Sequence, residues 1–148
     1  MGYYSDVCIG MSKKNHKAMF DAIDNLKEEN LKKELQNLVG MSVIYNPYIH
    51  GQDEPATYMI WHSIKWYNEY ADVKWVENYL KEVLVDDFSF VRLGEEEGDI
   101  ERYGCDKYYI PTNTVFDFNL FDWQIQDEIE RHKDEYRDEM IKEEYNEL

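Results

Sequence analysis

Residues 56–67 set the terms for any fold this chain can adopt. Along a strand, side chains alternate between two sides. Tyr58, Ile60, Ile64 and Trp66 then share one face, and Met59, Trp61 and Tyr67 share the other. Apolar residues on both sides predict a central strand, or one whose second face meets another layer. The rest of the chain has to supply that cover.

Residues 3–11 alternate, with Val7, Ile9 and Met11 on one side, and predict a first strand. Ser12 is placed to cap the helix that follows, although Asn15 is not the acidic partner of a capping box. Ala18, Met19, Ala22, Ile23 and Leu26 recur at helical spacing. Leu31, Leu35, Leu38 and Val39 form a second stripe, out of phase with the first. The shift predicts two short helices, or a bent one broken near residues 28–30. Beyond Gly40, residues 41–48 read as a strand and the polar run 50–55 as a hairpin loop. Asp72 is placed to cap a helix carrying Val73, Val76, Tyr79, Leu80 and Val83. Residues 88–93 predict another strand, turned back by Gly94-Glu95-Glu96-Glu97-Gly98 into residues 100–105.

That order is strand, helix, strand, strand, helix, strand, plus one extra strand. It predicts an α+β fold of the ferredoxin-like, split βαβ kind: an antiparallel sheet with helices 13–39 and 72–84 on one face. The domain spans residues 1–106. Residues 107–148 are read as an irregular connector, broken by Pro111 and Asn113, and a long acidic C-terminal helix from residue 121. Ile125, Ile129, Tyr136, Met140 and Tyr145 form its narrow stripe, which packs on the domain or across a homodimer.

Charge constrains function more than fold. The 148 residues include 32 acids and 16 bases, a net charge of -16. Small soluble domains usually carry a magnitude of about 2–8. Phosphates would be repelled, which argues against direct binding to nucleic acid or to an anionic membrane. The last 27 residues hold eleven acids against four bases. Their pairs Asp127/Arg131 and Asp138/Lys142 suit an exposed helix. No apolar run is long enough to span a bilayer, and the first residues lack the basic and apolar regions of a signal peptide. The expected location is the cytoplasm, that of the host cell if the protein is phage-encoded.

Signs of chemistry are sparse. Cys8 and Cys105 share no short spacing, so they predict two free thiols rather than a disulfide or a zinc knuckle. Cys8, in a central strand, reads as a small core residue. His16, His50, His62 and His132 lie outside metal-ligand spacing of one another and of the cysteines. His50 reads as part of a polar turn, and His62 as a semi-buried strand residue whose neighbour Ser63 points the other way. Phosphate-binding loops, dinucleotide turns and nucleophile elbows are absent from the sequence. The expectation is a protein that is not an enzyme, with no cofactor and no metal.

What remains is acid and aromatic surface. The turn carrying Glu95, Glu96, Glu97, Asp99 and Glu101 lacks the ligand pattern of an EF-hand loop. It reads as a solvated hairpin tip or as an acidic knob for a partner. Asp127, Glu128, Asp134 and Glu135 offer a second row of carboxylates. Trp61, Trp66, Tyr67, Tyr70, Trp75 and Tyr79 supply core packing and the ring types that dominate interface hot spots.

The segments Lys65-Trp66-Tyr67-Asn68-Glu69-Tyr70-Ala71-Asp72-Val73 and Phe88-Ser89-Phe90-Val91-Arg92-Leu93-Gly94-Glu95 resemble small acidic proteins encoded by phages and mobile elements. Met1-Gly2-Tyr3-Tyr4-Ser5 adds to the likeness, which covers about the first 105 residues. It implies an inhibitor of host defence, of the anti-CRISPR or anti-restriction type, several of which are acidic DNA mimics. It assigns no site residue. The expected function is therefore to bind the basic surface of a nucleic-acid-binding protein, a CRISPR or restriction effector, and block its nucleic acid. The alternative is a non-catalytic binding module, a small-molecule sponge or assembly adaptor, using the aromatic sheet face.

Overall fold

The computed structural model describes residues 2–46, 56–108 and 110. They form an α+β structure built on a five-stranded sheet with every neighbouring pair antiparallel. In chain order the elements are β1 (Ser5–Ser12), α1 (Lys13–Asp24), α2 (Glu29–Gly40), β2 (Val43–Tyr45), β3 (Ala56–Ile64), α3 (Ala71–Tyr79), a π-helical turn (Leu80–Leu84), β4 (Ser89–Gly94) and β5 (Ile100–Gly104). The strand order across the sheet is β2-β3-β1-β4-β5. β1 lies at the centre, bonded to β3 on one side and to β4 on the other.

Local chemistry accounts for the helix boundaries. Ser12 Oγ accepts from the Asn15 N–H at 3.0 Å and starts α1 without a pause after β1. The break between α1 and α2 falls at residues 25–28, where the Glu28 carboxylate caps α2 by accepting from the N–H groups of Asn30 and Leu31. Asp72 does not cap α3. Tyr70 holds that position, and Asp72 lies in the first turn, its carboxylate accepting from the Val73 N–H at 2.8 Å. A negative charge there still complements the helix dipole.

Both sheet faces are covered, as the doubly apolar strand requires. On one side, Val7, Ile9 and Met11 of β1 and Met59 and Trp61 of β3 pack against Met19 and Ile23 of α1, Leu35 and Leu38 of α2, and Val73 and Val76 of α3. The Trp61 indole N–H donates to the Leu38 carbonyl at 2.7 Å and ties β3 to the end of α2. On the other side, Cys8, Tyr58, Ile60, Val91 and Leu93 are buried together with Tyr108 and Ile110. Tyr108 passes directly over Gly10: a Cβ added at that glycine would lie 2.9 Å from Tyr108 Cβ and from a Tyr58 ring carbon. Tyr108 and Ile110, which follow β5, thus pack on this second face of the sheet. Cys8 is 2% exposed, and burial pushes its thiol pKa up, which suits a core residue.

Further expectations are corrected. First, Ile64 and Trp66 lie with Met59 and Trp61 on the helix side, not with Tyr58 and Ile60. The cause is a β-bulge. Ser5 pairs with Ile64 and Val7 with Trp61, so His62 and Ser63 together oppose Asp6. Ser63 takes φ 55°, and its N–H is satisfied by Asp6 Oδ1 at 2.9 Å. One extra residue reverses the alternation for everything after it. Second, the same bulge turns His62 outward, its Nδ1 3.0 Å from Asp6 Oδ1 and its side chain 47% exposed. Third, the π-helical turn adds a residue to the last turn of the helix, so Leu84 is buried and Val83 is exposed. In addition, β2 is shorter than the predicted strand at 41–48, because Met41 still caps α2. Its expected last residues 47 and 48 lie outside the described residues, as do the loop at 50–55, His50, His132 and the C-terminal helix at 121–148.

Candidate functional site

The β4–β5 hairpin is built on cross-strand pairs, with Arg92 opposite Glu101 and Leu93 opposite Ile100. Its turn is closed by backbone bonds from Gly94 N to Asp99 O, from Asp99 N to Glu96 O and from Ile100 N to Gly98 O. Gly98 takes φ 83°, which a side chain would resist. The acidic run is therefore held in one backbone shape.

Its five candidate carboxylates do not form one open row. Arg92, whose side chain is only 12% exposed, donates from Nη2 to Asp99 Oδ1 at 2.8 Å and from Nε to Glu101 Oε1 at 2.6 Å. Its Nη1 reaches Asp99 Oδ2 and Ser5 Oγ. Burial alone would pull the guanidinium pKa down, but the hydrogen bonds to Asp99 and Glu101 outweigh it and hold it raised. The Arg92 bonds, followed by the one from Tyr3, keep the Asp99 carboxyl below its ordinary pKa. The Tyr3 phenol is held up in turn by its bond to Asp99. Glu95 accepts from the Tyr4 N–H at 2.8 Å. The side chains of Glu96 and Glu97 are exposed and have no hydrogen bond or ion pair among the described residues. Asp127, Glu128, Asp134 and Glu135 lie outside the described residues.

The structure thus separates the expected site into bracing and presented groups. Asp99 and Glu101 brace the knob through Arg92. Glu95 joins it to the first residues of the chain. Glu96 and Glu97 face solvent. Sequence reasoning passed over Tyr3, Tyr4 and Arg92. For Arg92 a signal was available: a turn at residues 95–99 pairs residue 92 with residue 101, which sets opposite charges across the hairpin. For Tyr3 there was none, since only the sheet brings the first residues beside the last turn.

Two concavities meet at Tyr4. One, of about 330 Å³, is lined by Tyr4, Ser5, Asp6, Ser63 and Glu95. The other, of about 430 Å³, runs between the end of α2 and the start of α3; Leu38, Ile64 and Val73 form its apolar part. Tyr4 and Tyr70 stand on it with 40% and 43% of their surface exposed, and Met41 with 67%. Lys65 extends its ammonium over the Tyr4 ring, 5.7 Å from the centroid. The opposite sheet face, by contrast, has its central aromatic Tyr58 buried beneath Tyr108.

Among the described residues no group of three or more His, Cys, Asp or Glu side chains is arranged to hold a metal ion. Cys8 and Cys105 are both free thiols. No helix of the described residues is long and apolar enough to cross a membrane. No protein-family model matches the chain, and no curated protein or solved structure matches it significantly.

Proposed function

We propose that this protein is an acidic inhibitor that binds the basic surface of a nucleic-acid-binding protein and blocks access of nucleic acid to it. The observation that carries the reading is the braced hairpin. Its backbone is held by turn bonds, by Arg92 and by Tyr3, while Glu96 and Glu97 project unengaged among the described residues. A hairpin backbone already held in place spares the ordering cost of the loop on binding, and the Glu96 and Glu97 carboxylates it carries can displace counterions from a phosphate channel much as phosphates do. The charge of -16 adds long-range attraction to such a partner and speeds encounter. By the resemblance, the partner is a CRISPR or restriction effector in the cytoplasm of a phage host, and the protein acts without a cofactor and is not an enzyme. The sheet order β2-β3-β1-β4, with a helical connection after β1 and after β3, supports a ferredoxin-like architecture extended by β5.

The test is capture of the partner from host lysate with nuclease present, followed by competition against the partner's own nucleic acid. Stoichiometric displacement that weakens steeply with salt is the expected result. Reversal of Glu96 and Glu97 to lysine should lower affinity about tenfold or more while the fold is kept. Full affinity in that variant would refute the hairpin as the contact.

A further inference from the structure

The groove between α2 and α3 combines three features that packing alone does not require. Its floor is apolar, at Leu38, Ile64 and Val73. Two tyrosine rings, Tyr4 and Tyr70, stand exposed on its walls, and the Tyr70 ring lies 5.1 Å from that of Tyr67. Carboxylates at Glu34 and Asp72 line it, against Lys65 as the single cation among the described residues. Tyr4 also borders the concavity that contains Glu95, and its N–H is bonded to that carboxylate. The apolar groove and the acidic hairpin therefore form one continuous surface at this end of the sheet.

This chemistry selects among occupants. A second copy of the chain brings its own charge of -16 to an acid-lined groove and is repelled. A purely apolar segment would leave Glu34 and Asp72 without counter-charge. An arginine satisfies both parts, since its guanidinium stacks on tyrosine faces and pairs with carboxylates. Lys65 over Tyr4 already displays this cation–ring contact within the chain. An apolar residue next to the arginine would cover the floor.

We propose that the α2–α3 groove docks an arginine-bearing amphipathic segment of the basic partner, with Tyr4 and Tyr70 as the ring anchors and Glu34 and Asp72 as the counter-charges. This rests on the reading of the protein as a binder of basic proteins and names where its specificity lies: the hairpin attracts, and the groove selects.

The experiment uses the full chain and a fluorescein-labelled, end-capped peptide with arginine and leucine at alternating helical positions. Fluorescence anisotropy gives affinity, and amide chemical shifts give location. Saturable binding with shifts at residues 38–41, 63–65 and 70–73 is expected. The double variant Tyr4→Ala/Tyr70→Ala alters exposed rings and should weaken binding about tenfold or more, with amide dispersion retained. Peptides with every leucine replaced by serine, or every arginine by glutamine, should bind at least about tenfold more weakly, since each removes one half of the recognition. Loss of affinity in Glu96→Gln/Glu97→Gln with none in the tyrosine variant overturns the groove and leaves the hairpin reading standing. Loss in the tyrosine variant alone supports the groove and counts against the hairpin. Absence of saturable binding, or equal binding of all three peptides, overturns the proposal.

Discussion

The Tyr3 hydroxyl donates to Asp99 Oδ2 at 2.6 Å and accepts from the Glu96 N–H at 3.0 Å. One phenol thus joins the start of the chain to both sides of the acidic turn. Its own backbone N–H donates to the Tyr67 hydroxyl at 2.7 Å, which continues the connection to the residues before α3. The hairpin and the groove are therefore mechanically linked through residues 3 and 4.

Arg92 is the central cation of this arrangement. Arg92→Ala leaves Asp99 and Glu101 without their shared partner and should lower unfolding free energy by about 1–3 kcal/mol. Arg92→Lys should restore only part of it, because a single ammonium cannot make the forked contacts. Urea denaturation at neutral pH measures both.

Stability should fall in two steps on acidification. His16 Nε2 is buried without a partner among the described residues, and burial lowers the imidazole pKa from its ordinary 6.5. The unfolded chain then takes the proton first, so stability is full above about pH 6.5 and declines below it. Asp99 is lowered from 3.8 by Arg92 and then Tyr3, and its contribution is lost as pH falls through and below that value. Unfolding free energy followed from pH 8 to 3 should show less decline in the first window for His16→Leu, and less in the second for Arg92→Ala. An unchanged slope in either variant contradicts the assignment.

Val85 sits at φ 63° and ψ -75°, outside the regions a β-branched residue ordinarily adopts, and is 65% exposed. It ends the π-helical turn that buries Leu84. Val85→Gly relieves backbone strain and gives up little contact, so it should stabilise by about 1 kcal/mol after the extra chain entropy of glycine is counted. Thermal and chemical denaturation of the variant check this.

Gly10 and Tyr108 should be energetically coupled. Gly10→Ala crowds Tyr108 Cβ and the Tyr58 ring, each 2.9 Å from the new methyl, and should cost about 1–3 kcal/mol. In a Tyr108→Ala background the cost should be smaller, and a double-mutant cycle gives the difference directly. Additive effects would mean that Tyr108 does not cover this face in solution.

The order of strands and helices from β1 to β5 and the need for cover on both faces of β3 were legible in the sequence, because each follows from local periodicity. The Ser12 cap, the break between the first two helices and the turn at residues 95–99 depend on residues close in the chain, and composition alone carried the charge. Side-chain direction after His62 was not legible. The bulge opposite Asp6 arises from pairing with a strand more than fifty residues earlier in the chain. Nor did local pattern reveal that Tyr108 and Ile110 pack on the second face of the sheet, or that Asp99 and Glu101 share Arg92 while Glu96 and Glu97 stay outside. A one-dimensional count of carboxylates weighs them equally. Only the tertiary structure, by bringing Tyr3 and Arg92 to the hairpin, separates the charges that hold the fold from those presented to solvent.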